Sequence, residues 1–230
     1  MGVDAIKMLS SMATRELLSD LVARYAQENG LAVELESAGG VDVARRVQAG
    51  EVVDAVVLAA PAIEKLLADD RLQRGSRVDI ARSGIGMAVL AGAARPDIGT
   101  EAAVKAAVLA ARTLGYSTGP SGTYMVQLFE RWGIAAQLAP RIVQAPPGVP
   151  VASLVARGEA ELGFQQLSEL LNVPGIDVLG ALPDDIQNIT VFCGAVSVAS
   201  QKAAAARALL AFLADPAGAA TKLVHGMEPA

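Results

Sequence analysis

Three times along its length this chain passes from an apolar strand pattern through a turn of serines and glycines straight into a helical pattern. The turns are Ser10-Ser11, Ser37-Ala38-Gly39-Gly40, and Tyr116-Ser117-Thr118-Gly119-Pro120-Ser121-Gly122, the last ahead of the amphipathic run from Thr123 to Trp132. Turns of this kind bring unpaired backbone N–H groups and the positive ends of helix dipoles to one edge of a sheet. An anion approaching that edge meets ready donors. A hydroxyl and glycine cluster ahead of a helix is also the ordinary way of capping one, so the turns alone leave both readings open.

The strand–helix alternation fixes the fold class. Asp4–Leu9, Leu31–Glu36 and Ala55–Leu58 read as strands, with helices over Met12–Glu28, Val41–Gln48 and Pro61–Leu67 between and after them. A βαβαβ unit requires parallel strands, with the ligand edge at their C-terminal ends. Composition agrees: residues are 53% hydrophobic but only 3% aromatic, and the excess of Ala, Val and Leu suits helices packed on buried strands. After Arg77 the chain turns extended, with Ser83-Gly84-Ile85-Gly86 between two apolar stretches, which reads as a crossing into a second domain. There, helix Glu101–Ala111 leads to strand Thr113–Tyr116, strand Ile142–Gln144 precedes the rigid loop Ala145-Pro146-Pro147-Gly148-Val149-Pro150, and helix Val151–Arg157 precedes strand Leu162–Phe164. The strand Ile189–Val198 is long enough to return to the first domain, and the Ala/Leu-rich run Ala203–Leu213 is helical. The expected division is residues 1–82 plus 196–230 for one lobe and 83–195 for the other, joined by two hinge crossings.

Charge and rare residues exclude several functions. A net charge of −5, with 19 basic residues spread along the chain, offers no nucleic-acid surface. Cys193 is the one cysteine and His225 the one histidine, so neither an internal disulfide nor a Cys/His metal cluster can be assembled. Cys193 lies in an apolar run and reads as a buried, inert thiol. The stretch Met1–Lys7 lacks the pattern of a leader peptide, and no apolar run is long enough to span a membrane. The expectation is a cytoplasmic protein as the sequence stands, or a periplasmic one if a signal peptide has been removed.

The order of elements, the double crossing, and the segments Ala49-Gly50-Glu51-Val52-Val53-Asp54-Ala55 and Ala156-Arg157-Gly158-Glu159-Ala160-Glu161-Leu162-Gly163-Phe164 resemble the type II periplasmic-binding-protein superfamily, in its molybdate-receptor-like branch. The resemblance covers essentially the whole chain. It implies a two-lobed α/β fold, each lobe a mixed, mostly parallel sheet flanked by helices, closing on a small ligand. In molybdate receptors a serine after the first strand holds the oxyanion, and Ser11 matches it. The serine expected after the third strand has no counterpart in Leu58-Ala59-Ala60, a tyrosine position falls near Gln165 or Gln166, and the usual Asp-Pro start of the second-lobe turn is Tyr116-Ser117-Thr118.

These departures suit a ligand with several separated carboxylates better than one compact tetrahedral anion. Aconitate-isomerase-like members of the same branch resemble such a case, moving an allylic proton to interconvert cis- and trans-aconitate. The resemblance implies no cofactor and no metal. The expected ligand donors are Ser10, Ser11, Ser37, Gly39, Gly40, Ser117, Thr118, Gly119, Ser121 and Gly122, with amides from Gln165 and Gln166. Those amides serve equally well as caps of a neighbouring turn. A ligand charge is met by Arg82 or by Arg15, the latter equally well explained as a helix-surface residue. Ser11 and Glu36 are the expected catalytic residues, with Glu169 the alternative base. The other reading is a receptor for an oxyanion or organic acid, without chemistry, whose partner is an ABC-transporter permease.

Overall fold

The computed structural model describes residues 5–146 and 148–230. Met1 to Asp4, including the expected first residue of the first strand, and Pro147 of the rigid loop lie outside the described residues. The chain divides into two compact units, one of Met1–Arg82 with Val191–Ala230 and the other of Ser83–Thr190.

In the first unit, β1 (Ile6–Ser11) leads through a 3-10 turn to α1 (Arg15–Asn29), followed by β2 (Val33–Ala38), α2 (Gly40–Gln48), β3 (Ala55–Ala59), α3 (Ala60–Ala68) and β4 (Val78–Ser83). The parallel pairing expected of β1, β2 and β3 is present, with Met8 opposite both Leu35 and Ala55. The period of two decides which helix covers which face. Ile6 and Met8 pack with Leu17, Leu18 and Leu21 of α1, whereas Leu9 packs with Val43 and Val47 of α2 and with Ile63 of α3.

The second unit contains β5 (Ile85–Leu90), α4 (Glu101–Ala110), β6 (Leu114–Tyr116), α5 (Pro120–Arg131), α6 (Ala135–Leu138), β7 (Ile142–Gln144), α7 (Val151–Ala156), β8 (Leu162–Gln166), α8 (Leu167–Leu170) and β9 (Ile176–Ala181). Its sheet runs β7-β6-β8-β5-β9, parallel across the first three strands and antiparallel at β5. Phe164 is fully buried among Val104 and Val108 of α4 and Met125, Leu128 and Phe129 of α5. The short elements α6 and α8 escape the sequence pattern, because four residues cannot display a helical period.

The chain completes the first unit with β10 (Thr190–Val196), α9 (Ala203–Ala214), α10 (Ala219–Val224) and β11 (Glu228–Pro229), giving a sheet of order β11-β4-β10-β3-β1-β2. The return falls at Val191 rather than at residue 196, because Phe192 to Val196 pair antiparallel with β3 and are bound into that sheet. Among the described residues no single helix is long and apolar enough to cross a membrane. The apolar stripe of α9, at Ala206, Leu209, Leu210 and Leu213, is buried on the α1 face of its own sheet.

Candidate functional site

The C-terminal edge of the first unit's parallel strands carries the first candidate site. Ser10 and Ser11 leave β1 on opposite faces. Ser10 Oγ lies 2.7 Å from Ser37 Oγ, across the β1–β2 register, and one hydroxyl donates to the other. Ser11 faces α2: its Cβ lies 3.6 Å from where a side chain on Gly40 would begin. Ser11 is only 6% exposed, and its buried Oγ has no hydrogen-bond partner among the described residues. An unpaired buried hydroxyl carries a desolvation cost of about 1–3 kcal/mol. It stands at the first turn of α2, where Gly39 is the N-cap and no side chain caps the helix. Serine, glycine and helix end thus form one donor cluster, and a hydrogen-bond acceptor placed there relieves the cost.

The neighbouring α3 begins differently. Ala59 is its N-cap, and Pro61 in the first turn removes one N–H. This edge therefore offers no hydroxyl after the third strand.

A groove of about 510 Å³ runs between α1 and the edge strand β2. Arg15, Ser19 and Ser37 line one end, while Ala26, Ala32 and Val33 line the other, since α1 runs back against the direction of the strand. Arg15 is thus the arginine that shares a groove with an expected donor, Ser37, although it also pairs with Glu16 at 3.3 Å. Arg82 is committed to the cross-strand partner Glu228 of β11, at 2.8 Å.

Glu36 does not have the surroundings expected of a base. Period two puts its side chain on the α2 face, away from that of Ser37, and Arg46 of α2 holds it together with Glu51. The guanidinium holds the Glu36 carboxyl below the usual range, which makes it a poorer proton acceptor. The Glu36–Arg46–Glu51 clamp ties α2 to the sheet edge. With Glu36 59% exposed, Glu36→Gln is expected to change stability by no more than about 1 kcal/mol, measured by urea denaturation.

The second unit presents an analogous edge. Ser117 follows β6, and its Oγ accepts the N–H of Gly119 at 3.2 Å, so this hydroxyl caps its own turn. Helix α5 starts at Pro120 rather than at Thr123, since proline's fixed φ fits a first helical turn. Ser121 and Gly122 therefore lie inside the helix, both buried. Gly122 is required there: an added Cβ would sit 1.7 Å from the Ser117 carbonyl oxygen.

Gln165 and Gln166 belong to β8 rather than to the loop after it, paired with Gly86 and Ile85. Gln165 Oε1 accepts the backbone N–H of Val151 at 2.9 Å and so caps α7, while its Nε2 donates to Glu169 Oε1 at 2.8 Å. Both polar atoms of its amide are thus engaged. Gln166 Nε2 donates to Thr190 Oγ1 at 2.8 Å, leaving a buried Oε1 without a donor among the described residues. Burial pushes the Glu169 carboxyl up to about 7, against the opposing effect of the Gln165 hydrogen bond. Sequence patterning gave Gln165 no specific partner, because its contact with α7 spans 14 residues.

Cys193 Sγ donates to Asp79 Oδ1 at 3.0 Å, and burial together with that carboxylate pushes the thiol up to about 12. It stays protonated at neutral pH and is no nucleophile. His225 pairs with Asp20 at 2.8 Å.

A profile of bacterial extracellular solute-binding proteins matches residues 6–228. The chain belongs to that family. A curated relative, an aconitate isomerase from Pseudomonas sp, is 36% identical over 233 aligned positions, covering 99% of this chain and 88% of that one. Among solved structures, the periplasmic molybdate-binding protein of Azotobacter vinelandii aligns with a TM-score of 0.81 at 21% identity, covering 96% of this chain and 98% of that chain. A tungstate ABC transporter structure from Geobacter sulfurreducens aligns with a TM-score of 0.75 at 16% identity, covering 95% and 97%. At these identities the structures establish the fold alone: the solute-binding family member has the type II periplasmic-binding-protein architecture, with a mixed sheet in each unit.

Proposed function

We propose that this solute-binding family member binds a small multi-carboxylate anion and interconverts cis- and trans-aconitate without a cofactor. The observation that carries the reading is the 36% identity to an aconitate isomerase across 99% of the chain. The donor set agrees with it. Ser11 and the α2 N-terminus offer one carboxylate a hydroxyl and backbone N–H groups, and Arg15 adds a charge by way of the groove it shares with Ser37. Between Leu58 and Ala60 there is no hydroxyl for a compact tetrahedral oxyanion.

Such a reaction needs donors that hold the carboxylate into which charge spreads, and a group that takes a proton from one carbon and returns it to another. Ser11→Ala is expected to weaken aconitate binding by about 1–3 kcal/mol, read by titration calorimetry. Unchanged affinity would remove Ser11 from the site. For the activity itself, protein dialysed against a chelator is incubated with trans-aconitate and the cis isomer is quantified by chromatography. Turnover proportional to protein supports the isomerase.

A second reading is a receptor that hands an oxyanion or organic acid to an ABC-transporter permease. The family description and the molybdate and tungstate neighbours favour it. No turnover, with saturable binding of molybdate or a carboxylate, would establish that reading instead.

A further inference from the structure

We propose that Glu169 is the catalytic residue that carries the proton between the two substrate carbons, and that Gln165 is its positioning residue; the proposal rests on the isomerase reading above. Helix α8, which bears Glu169, leaves the C-terminal end of β8. That end lies beside the end of β6, where Tyr116 pairs with Phe164, so the Ser117 turn and the start of α8 share one edge of one sheet. Glu169 thus belongs to the same sheet edge as the Ser117 turn.

Its hydrogen bonding is specific. Gln165 Oε1 is held by the N–H groups of Val151 and Ala152, at 2.9 and 3.4 Å, so its NH₂ must point the other way, onto Glu169 Oε1. A flipped amide would set donor against donor. One carboxylate oxygen of Glu169 is therefore fixed by a neutral amide.

The contrast with the chain's other carboxylates sets Glu169 apart. Glu36, Glu51 and Glu159 each pair with an arginine that holds the carboxyl low, and Asp79 is held low by the Cys193 thiol and then by Arg77. Around Glu169 the effects among the described residues are burial and then the Gln165 bond, with no contribution from a guanidinium, ammonium or second carboxylate. A carboxyl that changes protonation near neutrality is suited both to accept a proton and to release it again.

The step balances without a co-reactant. A Glu169 oxygen takes a proton from the methylene carbon, the C–H bond breaks, and its electron pair spreads over the allylic carbons into the adjoining carboxylate. The new O–H bond then breaks, its proton bonds the former vinylic carbon, and the double bond has moved by one position. Glu169 ends as it began.

The test uses three variants of the full chain. Glu169→Gln keeps the acceptor for Gln165 and is expected to lose at least about 100-fold in kcat, with aconitate affinity within about threefold of wild type. Glu169→Asp is expected to recover part of the rate. Gln165→Ala removes the bond that lowers the Glu169 pKa, so the acid limb of its kcat/KM profile should move to higher pH, a change that simple loosening would not cause. Turnover retained by Glu169→Gln, or an unmoved limb in a folded Gln165→Ala protein, would overturn the assignment while leaving the isomerase intact. Absence of turnover in wild type would instead sink the isomerase reading, and this assignment with it.

Discussion

Gly122→Ala is expected to lower stability by at least about 3 kcal/mol, a fall in Tm on the order of 10 °C. A methyl group there would start 1.7 Å from the Ser117 carbonyl oxygen and 2.7 Å from its carbon. Both are backbone atoms, so no rotamer change relieves the clash. Gly163 and Gly194 also lack room for a methyl group, but there the nearest atoms are side-chain ends of Val155 and Leu210, which can move. Relief at Gly122 requires the turn from β6 into α5 to open, and with it the Ser117–Gly119 bond. Urea denaturation and ligand titration should therefore fail together in this variant. Wild-type stability would mean that the turn has slack the structure does not show.

Glu169→Gln is expected to stabilise the unliganded protein at pH 8, by something on the order of 1–3 kcal/mol. The folded carboxyl is raised from 4.5 to about 7, so the folded state favours the protonated form. Its contribution to stability is fully present below pH 4.5 and is lost as pH rises through 7. Above that range wild type holds a half-buried, ionised carboxylate that glutamine does not have. Melting temperatures should nearly coincide at pH 4 and diverge at pH 8, with the variant higher. An equal difference at both values would show that Glu169 titrates normally. Loss of activity together with a gain in stability marks a strained functional group, not a structural one.

Much of this was legible in the sequence, and what was not has a physical cause. The parallel β1–β2–β3 arrangement follows from strand–helix alternation, a local property. Ser11's place ahead of a helix was legible because a hydroxyl at a strand end is a local signal. Glu36 was misread for the opposite reason. Adjacency to Ser37 suggested a shared site, yet neighbours on a strand face opposite ways, and Arg46, ten residues on, claims the carboxylate. Gln165 reaches the start of α7 and Gln166 reaches Thr190, contacts that only the sheet's topology creates. Glu169 was visible as a carboxylate near a turn, but its lack of a cationic partner depends on what packs around it.

Cofactor-free proton transfer within one substrate is read directly by proton NMR of trans-aconitate in deuterated buffer with catalytic amounts of this protein. The expected result is growth of the cis-aconitate signals, with deuterium entering the methylene position in so far as the Glu169 O–H exchanges with solvent before it redelivers its proton, and neither change with Glu169→Gln. Unaltered spectra at high protein concentration, from a sample that still gains thermal stability on adding aconitate or molybdate, would contradict it and make the protein a receptor.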